Sequence, residues 1–439
     1  MSKPTWTEAQ KNAIDLRGRT LLVSAAAGSG KTAVLTERII GRLDDVDSPL
    51  DLSRLLAVTF TKAAASELKT RLSRAISERL AASPRDRRLT SQLLLLDSAK
   101  ICTIHSFCLD LVKKHLRELG LPTGMSVGDD TEIKLMRRDL LDELVDAYYA
   151  GNFKEGFELE GFAEFMDNFS LSKNDSDTLE LFLKLYDKLM CMPDGLKFLA
   201  DSAAALEADA DKPFFETRHG RLLAAQCADF LEFIAVSYDS FLKECDDDTV
   251  RERYLPVICE ERDFAQSVCA LLRESKSDAA AKLVNAFEFA RLPSLPRGYC
   301  SELAERFKLM RTDFKKGCQS YLYPIFETIV LPESEHRSAE LIRKLYVLLC
   351  AFDSEFAAAK RKLCKLDFTD IERFTHRLLV ENGEPSRLAR ELAEDFDEIY
   401  IDEYQDTNSV QDEIFSSLAK NNRFMVGDIK QSIYGFRGA

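Results

Sequence analysis

The sequence predicts an α/β fold: a parallel β-sheet with helices on both faces, interrupted by a large all-helical insertion. Three observations carry that expectation. In residues 1–119, short β-rich runs alternate with helical patterns, as in the strand–helix–strand units of a parallel sheet. Residues 120–362 switch to long stretches of 3.6-residue periodicity. The alternating texture returns in residues 363–439, so the two flanking parts are expected to complete one domain.

Taken in order, "TLLVSA" (residues 20–25) is a strand that ends at a glycine-rich turn, and "KTAVLTERIIGRL" behind it is an amphipathic helix. "LLAVTF" (55–60) is the second strand, "AAASELKTRLSRAISERL" the next helix, and "KICTIHS" (100–106) the third strand. Within the insertion, "EIKLMRRDLLDELVDAYYA" and "SAELIRKLYVLLCAFDSEFAAAKRKL" predict long helices, with loops at "ADADKP", "RLPSLPRGY" and "LPESEHRS". "FDEIYID" (396–402) and "NRFMVGD" (422–428) supply the last two strands. No fixed-period repeat or low-complexity tract interrupts the pattern.

At 439 residues the chain is too long for one ordinary core and should hold two or three domains. No apolar stretch approaches the roughly 18 residues of a membrane span, and "MSKPTWTEAQ" lacks the apolar core of a signal peptide. The 11 cysteines include no C-x-x-C pair, which argues against a zinc site or a disulfide framework and for reduced thiols in a cytoplasmic protein. The net charge of −14 argues against a nucleic-acid partner, but its distribution does not. Residues 1–120 hold 20 Lys+Arg against 13 Asp+Glu, a local charge of +7, and the remainder carries −21. A basic groove on an acidic chain still steers a polyanion; an ordinary solvated surface is the alternative.

The turn "SAAAGSGKT" comprises Ser24, Ala25, Ala26, Ala27, Gly28, Ser29, Gly30, Lys31 and Thr32. It lies between a strand and a helix, the context of a phosphate-binding loop. Glycines let backbone N–H groups turn inward, Lys31 offers a cation to the outer phosphates, and the Thr32 hydroxyl can ligate Mg²⁺. Ala25 occupies the first glycine position of the strict pattern, and a glycine-rich turn with an exposed lysine is the plainer alternative. "EIYIDEYQDT" places Asp402 at a strand end, able to hold Mg²⁺ through water, and Glu403 beside it, able to take a proton from an attacking water. An acidic loop capping a helix is the alternative there. Together the two halves imply ATP hydrolysis. Upstream, the amide of Gln10 can donate to and accept from one face of adenine, as can any surface glutamine.

Phe60, Tyr434 and Phe436 can stack on bases without sequence preference, and Lys62 and His105 can contact a phosphate backbone. Core packing is the competing role for each aromatic. Arg437 pairs equally well with DNA or with the motif acids, and His115 is read as ordinary surface.

These pieces, in this order, resemble superfamily 1 helicases of the UvrD type. "TWTEAQKNAI" resembles their Q motif, "AAAGSGKT" their phosphate loop, "TFTKAAASELKTR" and "TIHSF" two DNA-contacting motifs, "IDEYQDTNSVQ" motif II and "VGDIKQSIYGFRGA" motif III. "TIHSFC", "KQSIYGFRGA" and "LDFTDIE" (366–372), with the long insertion, are most similar to AddA (RecB-like) helicase-nuclease subunits. The resemblance implies a RecA-like ATP-binding domain, with ATP and Mg²⁺ at the site. It implies that Gln10 reads adenine and Gln431 senses the γ-phosphate. It also implies 3′–5′ translocation on single-stranded DNA in double-strand-break repair, duplex ends as substrate of the full protein, and an AddB-like subunit forming a heterodimer. In such relatives motif III leads into a second motor domain and then a nuclease domain, so this chain is expected to be an N-terminal piece, catalytically incomplete by itself. A non-motor DNA-binding or assembly module with a structural nucleotide site is the competing class; stimulation of ATP turnover by single-stranded DNA separates the two. A kinase-like enzyme leaves "TFTKAAASELKTR" and "TIHSF" unexplained.

Overall fold

The computed structural model describes residues 6–26, 28–45, 48–170, 175–327 and 332–432. Its central sheet has five strands: β1 (Leu21–Ser24), β2 (Leu55–Thr59), β3 (Lys100–Thr103), β4 (Glu398–Asp402) and β5 (Arg423–Gly427). Their spatial order is β1-β5-β4-β2-β3, and every pairing is parallel. The two C-terminal strands therefore sit between strands contributed by the first hundred residues. Leu21 faces Phe424 across the β1–β5 pair, and Leu55 faces Glu398 across β2–β4.

Both faces of the sheet are buried, and the strand period of two shows how. Leu55, Ala57, Tyr400, Phe424 and Val426 point into one apolar cluster, with Val34, Leu35 and Ile39 of the helix Lys31–Leu43. Their neighbours Leu56, Val58, Ile399, Ile401 and Met425 point into another, with Ile104 and Phe107 of the helix Ile104–Lys114 and Ile371 of the helix Phe368–Leu379. Continuous apolar runs such as "LLAVT" are what a strand covered on both faces requires. This is the parallel, doubly covered sheet expected of a RecA-like core.

The chain divides into two compact units, one of Met1–Phe198 with Lys344–Ala439 and one of Leu199–Arg343. The helical stretch expected over 120–362 is thus shared between them. Residues 120–198 group with the sheet because Ser126–Val127 pairs with Lys365–Leu366, Lys154 bonds Glu355 at 2.5 Å, and the Tyr186 hydroxyl donates to Asp353 at 2.5 Å. The Leu199–Arg343 unit has its own core of Tyr238, Phe241, Phe307 and Phe314. Inside it a buried Glu261 accepts from Arg311 at 2.6 Å and from the Tyr238 hydroxyl at 3.0 Å.

One expected loop is a helix. "LPESEHRS" carries the start of the helix Pro332–Lys362. Proline reads as a breaker in sequence, but at the first helical position its missing N–H costs nothing and its fixed φ suits the turn.

Candidate functional site

Because all five strands run the same way, the turns leaving their C-terminal ends gather along one edge of the sheet, where open α/β sheets bind ligands. Every described candidate residue except Gln10 lies at or just beyond that edge.

At the end of β1, the Ala25 N–H donates to the Gly427 carbonyl at 3.0 Å. The Ala26 carbonyl accepts from Ser29 N–H at 3.2 Å, closing a tight turn with Gly28 at φ 75°. Gly30 follows at φ 83° and caps the helix Lys31–Leu43 without a side-chain bond. Both angles belong to the left-handed region that glycine enters without strain. The turn delivers Lys31 and Thr32 to the first turn of the helix. The Lys31 ammonium and the Ser29 hydroxyl are buried and have no hydrogen-bond partner. An unpartnered buried cation beside free helix N–H groups is what a phosphate chain would satisfy.

Gln10 reaches this turn from outside. Thr7 and Gln10 form a capping box at the head of the helix Glu8–Asp15, with the Gln10 amide oxygen accepting from Thr7 N–H at 2.9 Å. The amide nitrogen donates to the Ser29 carbonyl at 3.0 Å. One N–H and one oxygen lone pair remain, the pair that an adenine edge needs. Arg38 fixes this helix from below, donating to the carbonyls of Ala13 at 2.8 Å and Leu16 at 2.6 Å. Arg42 bonds Glu398 at 2.6 Å at the start of β4.

Asp402 ends β4. Burial, then the adjacent Glu403 charge, pushes its carboxyl above the usual aspartate range, while Lys31 and Arg71 pull it down. Glu403 is held at φ 55°, ψ 45°, a conformation few non-glycine residues adopt. Its carboxylate accepts from the Gln405 amide at 2.8 Å, and the Gln405 amide oxygen in turn accepts from Asp428 N–H at 2.9 Å. Gln431 donates to the Asp428 carboxylate. That bond, then the Lys430 N–H, holds Asp428 below the usual range, with Lys31 adding to the effect. Lys31, Asp402, Glu403 and Gln431 thus form one electrostatic cluster. Thr32 and Asp402 are the two groups that would hold Mg²⁺; among the described residues no cluster of three His, Cys, Asp or Glu forms a protein-only metal cage. Two protein ligands fit a cation that keeps waters and phosphate oxygens.

Beyond β2, Phe60 is half-buried and packs against the apolar cluster around Val58, and Lys62 is exposed at the head of the helix Lys62–Ala82. Beyond β3, His105 lies 4.6 Å, centroid to centroid, from the Phe368 ring, and its Nε2 is 2.8 Å from Glu372. Burial works to raise the Glu372 carboxyl, but His105, Asn408 and Gln411 together bring it below the usual range. Ala27, Tyr434, Phe436 and Arg437 lie outside the described residues.

Sequence reasoning passed over Gln405, Arg71, Asp428 and Glu372. Gln405 had a visible signal, an amide between two carboxyls in "DEYQD"; Glu372 had only its place in "LDFTDIE".

Known proteins resemble this chain in sequence. The chain matches the UvrD/REP helicase N-terminal domain over residues 6–439. It is 36% identical over 448 residues to an ATP-dependent helicase/nuclease subunit of Thermoanaerobacter sp. (strain X514), covering 99% of this chain and 36% of that protein. The protein of the same description from Heliobacterium modesticaldum is 36% identical, with 99% and 32% covered, and that of Clostridioides difficile (strain 630) is 32% identical, with 100% and 35% covered. The chain spans about a third of the length of these relatives. Motif order, parallel sheet and sequence match agree, and the chain belongs to the UvrD/REP helicase N-terminal domain family.

Proposed function

We propose that this chain is the ATP-binding motor half of an ATP-dependent 3′–5′ DNA helicase that translocates on single-stranded DNA during double-strand-break repair. The buried ammonium of Lys31, without a hydrogen-bond partner at the head of the Gly28–Gly30 turn, carries the reading, because a phosphate held by that turn would satisfy it. Lys31 would hold the outer phosphates, and Thr32 and Asp402 would hold Mg²⁺, which supplies charge neutralisation on the phosphates. Glu403, oriented by Gln405, would take the proton of the attacking water as that oxygen bonds the γ-phosphorus and ADP leaves. Gln431, through Asp428, ties the end of β5 to the same acids. Phe60, Lys62 and His105 would face single-stranded DNA at the ends of β2 and β3, and Tyr434 and Phe436 are proposed to join them.

The helicase/nuclease relatives are named for a nuclease and as one subunit of a larger assembly. We extend both to the whole protein here, with duplex ends as substrate and an AddB-like partner in a heterodimer. No described helix is long and apolar enough to cross a membrane, and the free cysteines fit a reducing cytoplasm.

The test is binding of a fluorescent Mg·ATP analogue and ATP turnover, with and without single-stranded DNA, beside Lys31→Ala. Binding lost in the variant supports the reading. Equal binding by variant and wild type, or none by either at millimolar nucleotide, refutes it.

A further inference from the structure

Three sequence segments meet at one buried carboxylate. Glu372 is 7% exposed and lies on the helix Phe368–Leu379, whose first residue contributes the ring against His105. One of its oxygens, Oε1, is 2.8 Å from His105 Nε2 and accepts from the Gln411 amide at 2.7 Å. The other, Oε2, accepts from the Asn408 amide at 3.1 Å. Asn408 is itself committed: its Oδ1 caps the helix Ser409–Ser417 by accepting from Gln411 N–H at 2.9 Å. Asn408 follows the short turn Tyr404–Asp406 that leaves Glu403, so it belongs to the same loop as the site acids. On the same helix as Glu372, the Thr375 hydroxyl donates to the Cys108 carbonyl at 3.2 Å, fixing that helix against the one that carries His105.

We propose that Glu372 is a positioning residue that couples occupancy of the His105 surface by single-stranded DNA to the geometry of Asp402 and Glu403; this rests on the functional reading above. His105 is partly exposed and Glu372 is not, so a ligand that draws the imidazole outward acts on a carboxylate that also holds Asn408, in the acid-bearing loop, and Gln411, in the helix behind it. A buried carboxylate that loses one of three donors is left partly unsatisfied, and the remaining donors must shift with it.

The chemistry selects the variants. In Glu372→Gln one oxygen keeps His105 and Gln411, but an NH₂ now faces the Asn408 amide. Asn408 cannot turn its oxygen inward without losing its cap bond. The substitution therefore removes the Asn408 bond, the one that reaches the loop of the acids, and spares the bonds to His105 and Gln411. Asn408→Ala removes the same bond from the other side.

The experiment uses the 439-residue chain, a labelled oligothymidylate and a fluorescent Mg·ATP analogue. Each affinity is measured alone and with the other ligand saturating, and the ratio is the coupling factor. A coupling factor of roughly 5–150 is expected for the wild type, falling to within about twofold of unity in both variants while both ligands still bind. Coupling retained in the folded variants overturns the proposal. So does loss of both affinities together, which assigns Glu372 a purely structural role. A wild type that binds both ligands without coupling leaves the site reading standing and sinks this inference. A wild type that binds neither sinks both.

Discussion

Gly427, the last residue of β5, tests whether the Gln405 bridge organises the site. Its φ is not in the left-handed region, so alanine meets no backbone strain there. A Cβ would nevertheless lie 2.7 Å from the Gln405 amide oxygen, 3.1 Å from Gln405 N and 3.4 Å from Tyr404 N. Gln405 would have to leave, breaking its bonds to Asp428 N–H and to the Glu403 carboxylate. A neutral hydrogen bond contributes about 0.5–1.5 kcal/mol and one to a charged group about 1.5–3 kcal/mol. Since the bridge is half-buried, the lower end applies, and Gly427→Ala should cost about 2 kcal/mol. Gln405→Ala removes the same bonds without a clash and should cost about the same. The double variant is then expected to cost little more than either single, because the 2.7 Å contact goes with the Gln405 side chain and the remaining 3.1 Å approach to the Gln405 backbone nitrogen needs only a small local shift; the interaction energy should be on the order of 2 kcal/mol. Urea unfolding followed by tryptophan fluorescence reads this directly: Trp6, the sole tryptophan, packs on the core of the sheet-bearing unit. Additive single costs, or a neutral Gly427→Ala, would refute the reasoning.

Other perturbations separate binding from stability. Lys31→Met removes an ammonium without a hydrogen-bond partner but also the cation facing Asp402 and Asp428, and these opposing effects should leave the ligand-free stability within about 1 kcal/mol of wild type. Its melting temperature should stay fixed when Mg·ATP is added, whereas that of the wild type should rise with nucleotide. Glu398→Gln strips the carboxylate that Arg38, Arg42 and Tyr400 share beneath the sheet, and a loss of about 3–5 kcal/mol by urea unfolding is expected. Asp370 shares Lys360 with Asp367, and burial, then the Asp367 charge, pushes its carboxyl up to about 6. A raised folded-state pKa favours the protonated form, so this contribution is complete below the unfolded value of about 3.9 and fades as pH rises through 6. Asp370→Asn should therefore flatten the stability profile between those pH values, and a profile identical to wild type counts against it.

The strands, the glycine turn and the carboxylate pair were legible in sequence because each is a local pattern. An apolar run such as "LLAVT" reports burial on both faces, and "GSGKT" between a strand and a helix reports a turn that needs positive φ. The order β1-β5-β4-β2-β3 was not legible, since periodicity says that a face is covered but not by what. The same holds for Glu372, whose partners His105 and Gln411 come from segments far away in the chain, and for Phe60, where stacking on a ligand and packing on a core call for the same aromatic. Local chemistry is written residue by residue. Which carboxylate meets which imidazole is decided only when the strands pair, because a buried charge selects its partners by distance in space and not along the chain.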